Sequence, residues 1–238
     1  KKVQDQPPYD YLNTLKGLVA LYQDMGRYEH AEQRHLEAIA LTKKIAGAET
    51  PEYVTTVNNL AGFYTATGQF AKAETLYIEI SAILKKMLGP ENEEYANNLV
   101  DLAAVYQLTG QYEKAEPLYK EASTLFIKKT GREHLSYAMV ANDLGALYLK
   151  MGRYAEAEPL CLEAVAIRKK MAGDSNSVYA NSLNLLAALY EKMARYKESE
   201  THFNEALAIL KITVGEKHIQ YAQCQHNLGG LYMKMEQF

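Results

Sequence analysis

The chain has no tryptophan, only two cysteines and no surplus of basic residues, and each shortage excludes something. Cys161 and Cys224 alone cannot build a disulfide framework, so a reducing cytoplasm is the expected compartment. A net charge of -3 and a pI near 6.1 leave no broad basic face, so nucleic acid is not an expected partner. No apolar run approaches the roughly 18 residues that a membrane span requires. The opening Lys1-Lys2-Val3-Gln4-Asp5 has no apolar stretch behind its lysines and does not read as a signal peptide. Gly-rich phosphate loops, paired zinc ligands and nucleophile elbows are also missing. Cys224 and His226 stand two apart on one helix and point to different faces, while His30 and His35 are far from both in sequence. The chain is therefore not expected to be an enzyme, and no metal or cofactor is expected.

Tyrosine, by contrast, is abundant, and its spacing explains why. Tyr22, Tyr64, Tyr106, Tyr148, Tyr190 and Tyr232 recur every 42 residues without insertion. Tyr11, Tyr53, Tyr95, Tyr137, Tyr179 and Tyr221 form a second column, and Tyr28, Phe70, Tyr112, Tyr154, Tyr196 and Phe238 a third. These columns absorb 16 of the 19 tyrosines, which makes the aromatics packing elements of a repeat. Glycine keeps the same register. Gly26, Gly68, Gly110 and Gly152 form one column, with Ala194 as its exception, and Gly47, Gly89, Gly131, Gly173 and Gly215 form another. Two helix stops per period mean two helices per period.

Between the stops, Val57, Leu60, Ala61 and Tyr64 follow helical spacing, as do Ala73, Leu76, Tyr77 and Ile80. This predicts helix A over roughly 51–66 and helix B over roughly 70–88, repeated with period 42. Thr50 before Pro51 is suited to cap a helix A, Asn92 and Asn176 stand at equivalent places, and His134 and His218 share that column. Lysine pairs such as Lys85-Lys86 end each early helix B, where cations complement the macrodipole. The predicted fold is all-α, one domain over 1–238, with hairpins at roughly 5–46, 47–88, 89–130, 131–172 and 173–214 and a final helix in 215–238. Each hairpin can bury its apolar faces only against neighbours, so no internal domain boundary is expected.

Leu60-Ala61-x-x-Tyr64 followed by Gly68-x-Phe70-x-x-Ala73, with Ala38, Ala122, Ala164 and Ala206 at helix B centres, resembles the tetratricopeptide repeat. The 42-residue form, as in Gly152-Arg-Tyr-Ala-Glu-Ala-Glu-Pro-Leu-Cys161, is similar to kinesin light chain repeats and to bacterial arrays that precede caspase-like peptidase or ATPase domains. The resemblance implies a right-handed superhelical solenoid of antiparallel helix pairs, with A helices lining a concave side. Kinesin light chains bind peptides carrying an aromatic flanked by acidic residues. On that pattern Asn59 and Asn227 match a groove asparagine, which Asp101, Asp143 and Leu185 replace between them. Arg168 matches a basic position late in helix B, and Thr42, Leu84, Phe126 and Leu210 do not.

Helix geometry gives the candidate surface directly. Opposite the core stripe of the second helix A lie Thr55, Asn59, Gly62 and Ala66. The strip continues with Asn13, Gly17, Ala20 and Asp24 in the first, and Asn97, Asp101, Ala104 and Leu108 in the third. Met139, Asp143, Ala146 and Lys150 follow, then Asn181, Leu185, Ala188 and Lys192, then Gln223, Asn227, Gly230 and Lys234. The third member is always small, either because neighbouring A helices pack closely or because a ligand backbone approaches there. Amides are frequent on the strip, and Asn58, Asn142 and Asn184 flank it; a carboxamide donates and accepts, so it can pair with any peptide group. Asp101 and Asp143 form an acidic column for a basic ligand group. Lys150, Lys192 and Lys234 line one lip, where they either meet an acidic segment or complement the helix end.

The expected function is therefore a protein- or peptide-binding scaffold. The alternative is the sensor or recruitment segment of a larger caspase-like peptidase or ATPase, betrayed by an α/β region beyond residue 238. The register ends on helix A of a sixth repeat, with His226, Leu228, Gly229 and Tyr232 as its expected core stripe and Phe238 opening the next helix B. That reads as a piece of a longer array, with end-to-end self-association through the uncovered last helix.

Overall fold

Each expected stop is a helix end in the computed structural model, which describes residues 6–173 and 176–236; Asp5 and Phe238, which the register placed at the first hairpin and at a new helix, lie outside them. Eleven helices and no strand occur among the described residues: α1 Gln6–Asp24, α2 Tyr28–Ile45, α3 Pro51–Ala66, α4 Phe70–Leu88, α5 Glu93–Leu108, α6 Tyr112–Thr130, α7 Leu135–Lys150, α8 Tyr154–Ala172, α9 Ser177–Lys192, α10 Tyr196–Thr213 and α11 Ile219–Met235. Odd helices are the A members and even helices the B members. The α3 start is fixed by Thr50, whose hydroxyl accepts from the Tyr53 N–H, with Pro51 supplying a preset φ. Asn92, His134, Asn176 and His218 act likewise, each side chain accepting from the N–H two residues on. His134 and His218 are thus helix caps.

The chain forms two compact units, Lys1–Thr109 with α1–α5 and Gly110–Phe238 with α6–α11. Within each, consecutive helices pack as antiparallel neighbours. The A helices bury two faces, as in α3 with Tyr53, Val57, Leu60, Ala61, Phe63 and Tyr64. The B helices bury one, as in α4 with Ala73, Tyr77, Ile80 and Leu84. Such a B stripe, repeated every three to four residues, leaves the rest of the helix to solvent.

The tyrosine columns are tied through their hydroxyls. Tyr53 Oη donates to Glu79 at 3.0 Å within one hairpin, and Tyr179 to Glu205 at 2.8 Å. Tyr64 donates back to Glu32 of the preceding helix B at 2.7 Å, Tyr106 to Glu74 at 2.8 Å, Tyr148 to Glu116 at 3.0 Å and Tyr232 to Glu200 at 2.8 Å. A buried phenol needs such a partner, and a carboxylate makes it a charge-assisted one.

The last helix departs from its expected stripe. Cys224, Leu228 and Leu231 are buried on α11, whereas His226, Gly229 and Tyr232 are exposed. His226 belongs instead to the column of Asn58, Asn142 and Asn184, one step off the core stripe of the earlier A helices. Gly229 and Tyr232 occupy the columns of Ala61 and Tyr64, which are buried on α3, a helix packed against α4.

Candidate functional site

In the first unit the outward strips of α1, α3 and α5 carry exposed Asn13, Thr55, Asn59 and Asn97 and half-buried Asn58 and Asp101. Two cavities open along them. One, of about 490 Å³, is lined by Asn58, Asn59, Gly62 and Asp101 together with Lys16, Gln23 and His35. The other, of about 200 Å³, is lined by Thr55, Asn58, Asn97 and Asp101 with Asn98. Asn13 lines neither.

The small-residue column has a specific meaning at Gly62. A Cβ built there would meet only the Tyr77 hydroxyl, at 4.0 Å, and one at Gly17 or Gly230 would meet nothing within 4 Å. Helix packing therefore does not demand glycine at these three positions. Gly145, one residue before Ala146 of that column, is the opposite case: its Cβ would lie 2.7 Å from Cys161 Sγ.

In the second unit Asn181, Asn184 and Gln223 meet in a cavity of about 170 Å³ with Gln220, Leu210 and Ile219. Part of the amide display is used internally. Asn227 Nδ2 donates to Asn184 Oδ1 at 3.1 Å, and Asn142 Oδ1 accepts from Ser182 Oγ at 2.9 Å. Arg168, 6% exposed, donates to Ser182 Oγ at 2.6 Å and to the Val178 carbonyl at 3.2 Å. Burial of the Asp143 carboxyl pushes it up to about 6, against the opposing pull of Arg168 and the Asn142 amide. Asp143, Asn142, Ser182 and Arg168 thus form one polar knot on α7–α9. Of the lysine column, Lys150 and Lys192 are exposed, while Lys234 is paired with Glu191.

His35, Lys16, Gln23 and Asn98 join the site only through the fold. Asn98 is buried, and its Nδ2 donates to the Tyr77 carbonyl at 3.0 Å and Ser81 Oγ at 2.6 Å. A signal existed: the column Thr56, Asn98, Val140, Ser182 is polar three times, and Thr42 faces Thr56 as Arg168 faces Ser182. Both cysteines are buried free thiols, Cys161 pushed up to about 12 and Cys224 to about 11 by desolvation, so neither is a ready nucleophile. Among the described residues no group of His, Cys, Asp and Glu is arranged to hold a metal, and no helix is long and apolar enough to cross a membrane.

The sequence profile of the tetratricopeptide repeat matches residues 10–86, 52–128, 94–170, 136–212 and 178–238. No curated protein sequence matches the chain. Among solved structures, BtubC (BKLC) from P. vanneervenii is similar at 23% identity and TM-score 0.74, covering 85% of this chain and 81% of that one. Kinesin light chain-like repeats of Podosopora anserina are similar at 26% identity and TM-score 0.69, covering 88% and 99%. The quorum sensor NprR of B. thuringiensis, in complex with its cognate peptide NprX, shares the fold at 17% identity and TM-score 0.67, covering 99% of this chain and 64% of that one.

Proposed function

The chain belongs to the tetratricopeptide repeat family, and on that premise we propose that it binds an extended or short helical peptide along the outward strips of its A helices. The observation that carries this reading is the convergence of carboxamides on cavities in each unit, Asn58 and Asn59 in the first and Asn181, Asn184 and Gln223 in the second. Carboxamides pair with the peptide group whatever its side chain, so they hold a backbone and leave selectivity to other groups. Asp143 and the exposed Lys150 and Lys192 are suited to that second task, the acid toward a Lys or Arg of the peptide and the lysines toward an acidic portion, while Asp101 shares its cavity with Lys16. NprR, a structural neighbour, is solved with its cognate peptide, which supports peptide capture as a use of this fold.

The test is selection of peptides from a random display library on the intact chain, followed by titration of the best peptide. Replacing Asn59, Asn97 and Asn181 together by Ala is expected to weaken binding at least tenfold, about 1.4 kcal/mol, with the melting temperature nearly unchanged. Equal affinity in the triple variant would falsify the strip assignment.

A further inference from the structure

Position 35 departs from its column. The same place in later hairpins holds Tyr77, Tyr119, Cys161 and Phe203, three of them aromatic rings. At His35 the ring is smaller, and the 490 Å³ cavity opens beside it, within the first unit. His35 is 5% exposed, its ring lies 5.3 Å from that of Phe63, and its Nε2 is buried without a hydrogen-bond partner. Some of the volume lost at 35 returns at Phe63, where the other hairpins carry Leu21, Val105, Leu147 and Leu189.

The lining is chemically specific. Val19, Ala20, Ala38 and Gly62 give a narrow aliphatic wall, and Gln23, Asn58 and Asn59 bring three carboxamides. Lys16 and Asp101 contribute opposite charges, so the cavity has no net charge with which to attract an ion. Burial lowers the pKa of His35, which keeps the imidazole neutral near pH 7. A carboxylate or ammonium entering here would lose hydration while its attraction to one of Lys16 and Asp101 is offset by repulsion from the other. A phenol would offer one hydroxyl to three amides and an imidazole.

We infer that this cavity receives a glutamine side chain of the bound peptide, its two methylenes against the Val19–Ala38 wall and its carboxamide among Asn58, Asn59 and Gln23. A primary carboxamide donates twice and accepts twice, which is what an uncharged set of amides can return. The inference rests on the peptide-binding reading and adds the side chain read by the first unit.

The intact chain, ¹⁵N-labelled at histidine and asparagine, is titrated with four acetyl-Ala-X-Ala amides in which X is Gln, Glu, Lys or Tyr. The Gln peptide is expected to give a saturable shift at His35 and the Asn59 carboxamide, with an apparent affinity at least tenfold above the other three. Gly62→Leu, which places a side chain in the open space over the cavity, should abolish that preference. The double substitution His35→Tyr with Phe63→Val, which copies Tyr77 and Val105 one repeat on, should do the same. Binding of the Glu, Lys or Tyr peptide as tight as that of the Gln peptide, or a Gln preference surviving both variants, overturns the glutamine assignment and leaves peptide binding standing. Absence of any shift at His35 and at Asn181 with all four peptides overturns both.

Discussion

Ala194 is the non-glycine residue with positive φ among those described, at +59°, in the column where Gly26, Gly68, Gly110 and Gly152 lie between +67° and +76°. An L-residue with a Cβ is strained there by about 1–2 kcal/mol. Its neighbour holds the turn in place. Arg195 donates to Glu158 Oε1 at 2.5 Å, reaches both oxygens of Glu198, and stacks 3.9 Å over the Tyr190 ring. Ala194→Gly is expected to stabilise the chain by about 1 kcal/mol, since relief of strain outweighs the added freedom of the unfolded chain. Urea unfolding monitored by helicity reads this, and a loss of stability would show that the alanine is not strained. The tyrosine oxygens are a second matter at this scale. The columns were legible as packing, but the Glu partners were not, because partners 26 and 32 residues apart meet only after the helices stack.

Helix ends were legible because caps and glycines are local signals: α3 and α4 span the residues expected of them. The face a helix shows to its neighbours was less so. Asn142 to Ser182 and Asn227 to Asn184 join A helices 40 and 43 residues apart, so a side chain read as outward-facing is also engaged sideways. On α11 a one-position slip put His226 in the core, although Cys224, Leu228 and Leu231 are the buried residues. The α7–α8 contact gives a prediction of its own. Gly145→Ala brings a Cβ to 2.7 Å from Cys161 Sγ, and overpacking of this kind costs about 1–3 kcal/mol. Cys161→Ala in the same chain should recover most of that loss, with a coupling of about 1 kcal/mol in the double-mutant cycle. Additive effects of the two changes would contradict the contact. Gly62→Ala, by contrast, meets only the Tyr77 hydroxyl at an ordinary 4.0 Å and is expected to gain up to about 1 kcal/mol from helix propensity.

The tyrosine–glutamate and Arg/Lys–glutamate links between helices are anionic at one end, which sets how the chain answers acid. Arg153, Lys120 and Tyr148 converge on Glu116 and hold its carboxyl at about 2, well below the ordinary carboxylate range; Glu32 is lowered by Lys72 and Tyr64. A depressed folded-state pKa gives stability that is present above the unfolded value, near 4.5, and lost as pH falls toward 2. Between pH 7 and 5 the raised Asp143 favours the fold as acid is added while the lowered His35 and His202 oppose it; below about 5 urea midpoints are expected to drop steeply as Glu116 and Glu32 lose their advantage, less so in Arg153→Met than in the parent. A parent and variant with parallel acid limbs would remove Glu116 from the cause. The same links also determine how the chain finds its structure. The tyrosine–glutamate links span 26 or 32 residues, and within each unit helices touch their sequence neighbours or, among A helices, the next one along. Closing loops of that size costs little entropy, and doubling a loop adds only about 0.6 kcal/mol. A chain wired so locally has low contact order and folds quickly, hairpin by hairpin. Its amide hydrogens should exchange in a gradient, fastest where a hairpin has a neighbour on one side only. A bound peptide crossing several hairpins would then act as a splint, slowing exchange in helices that it never touches.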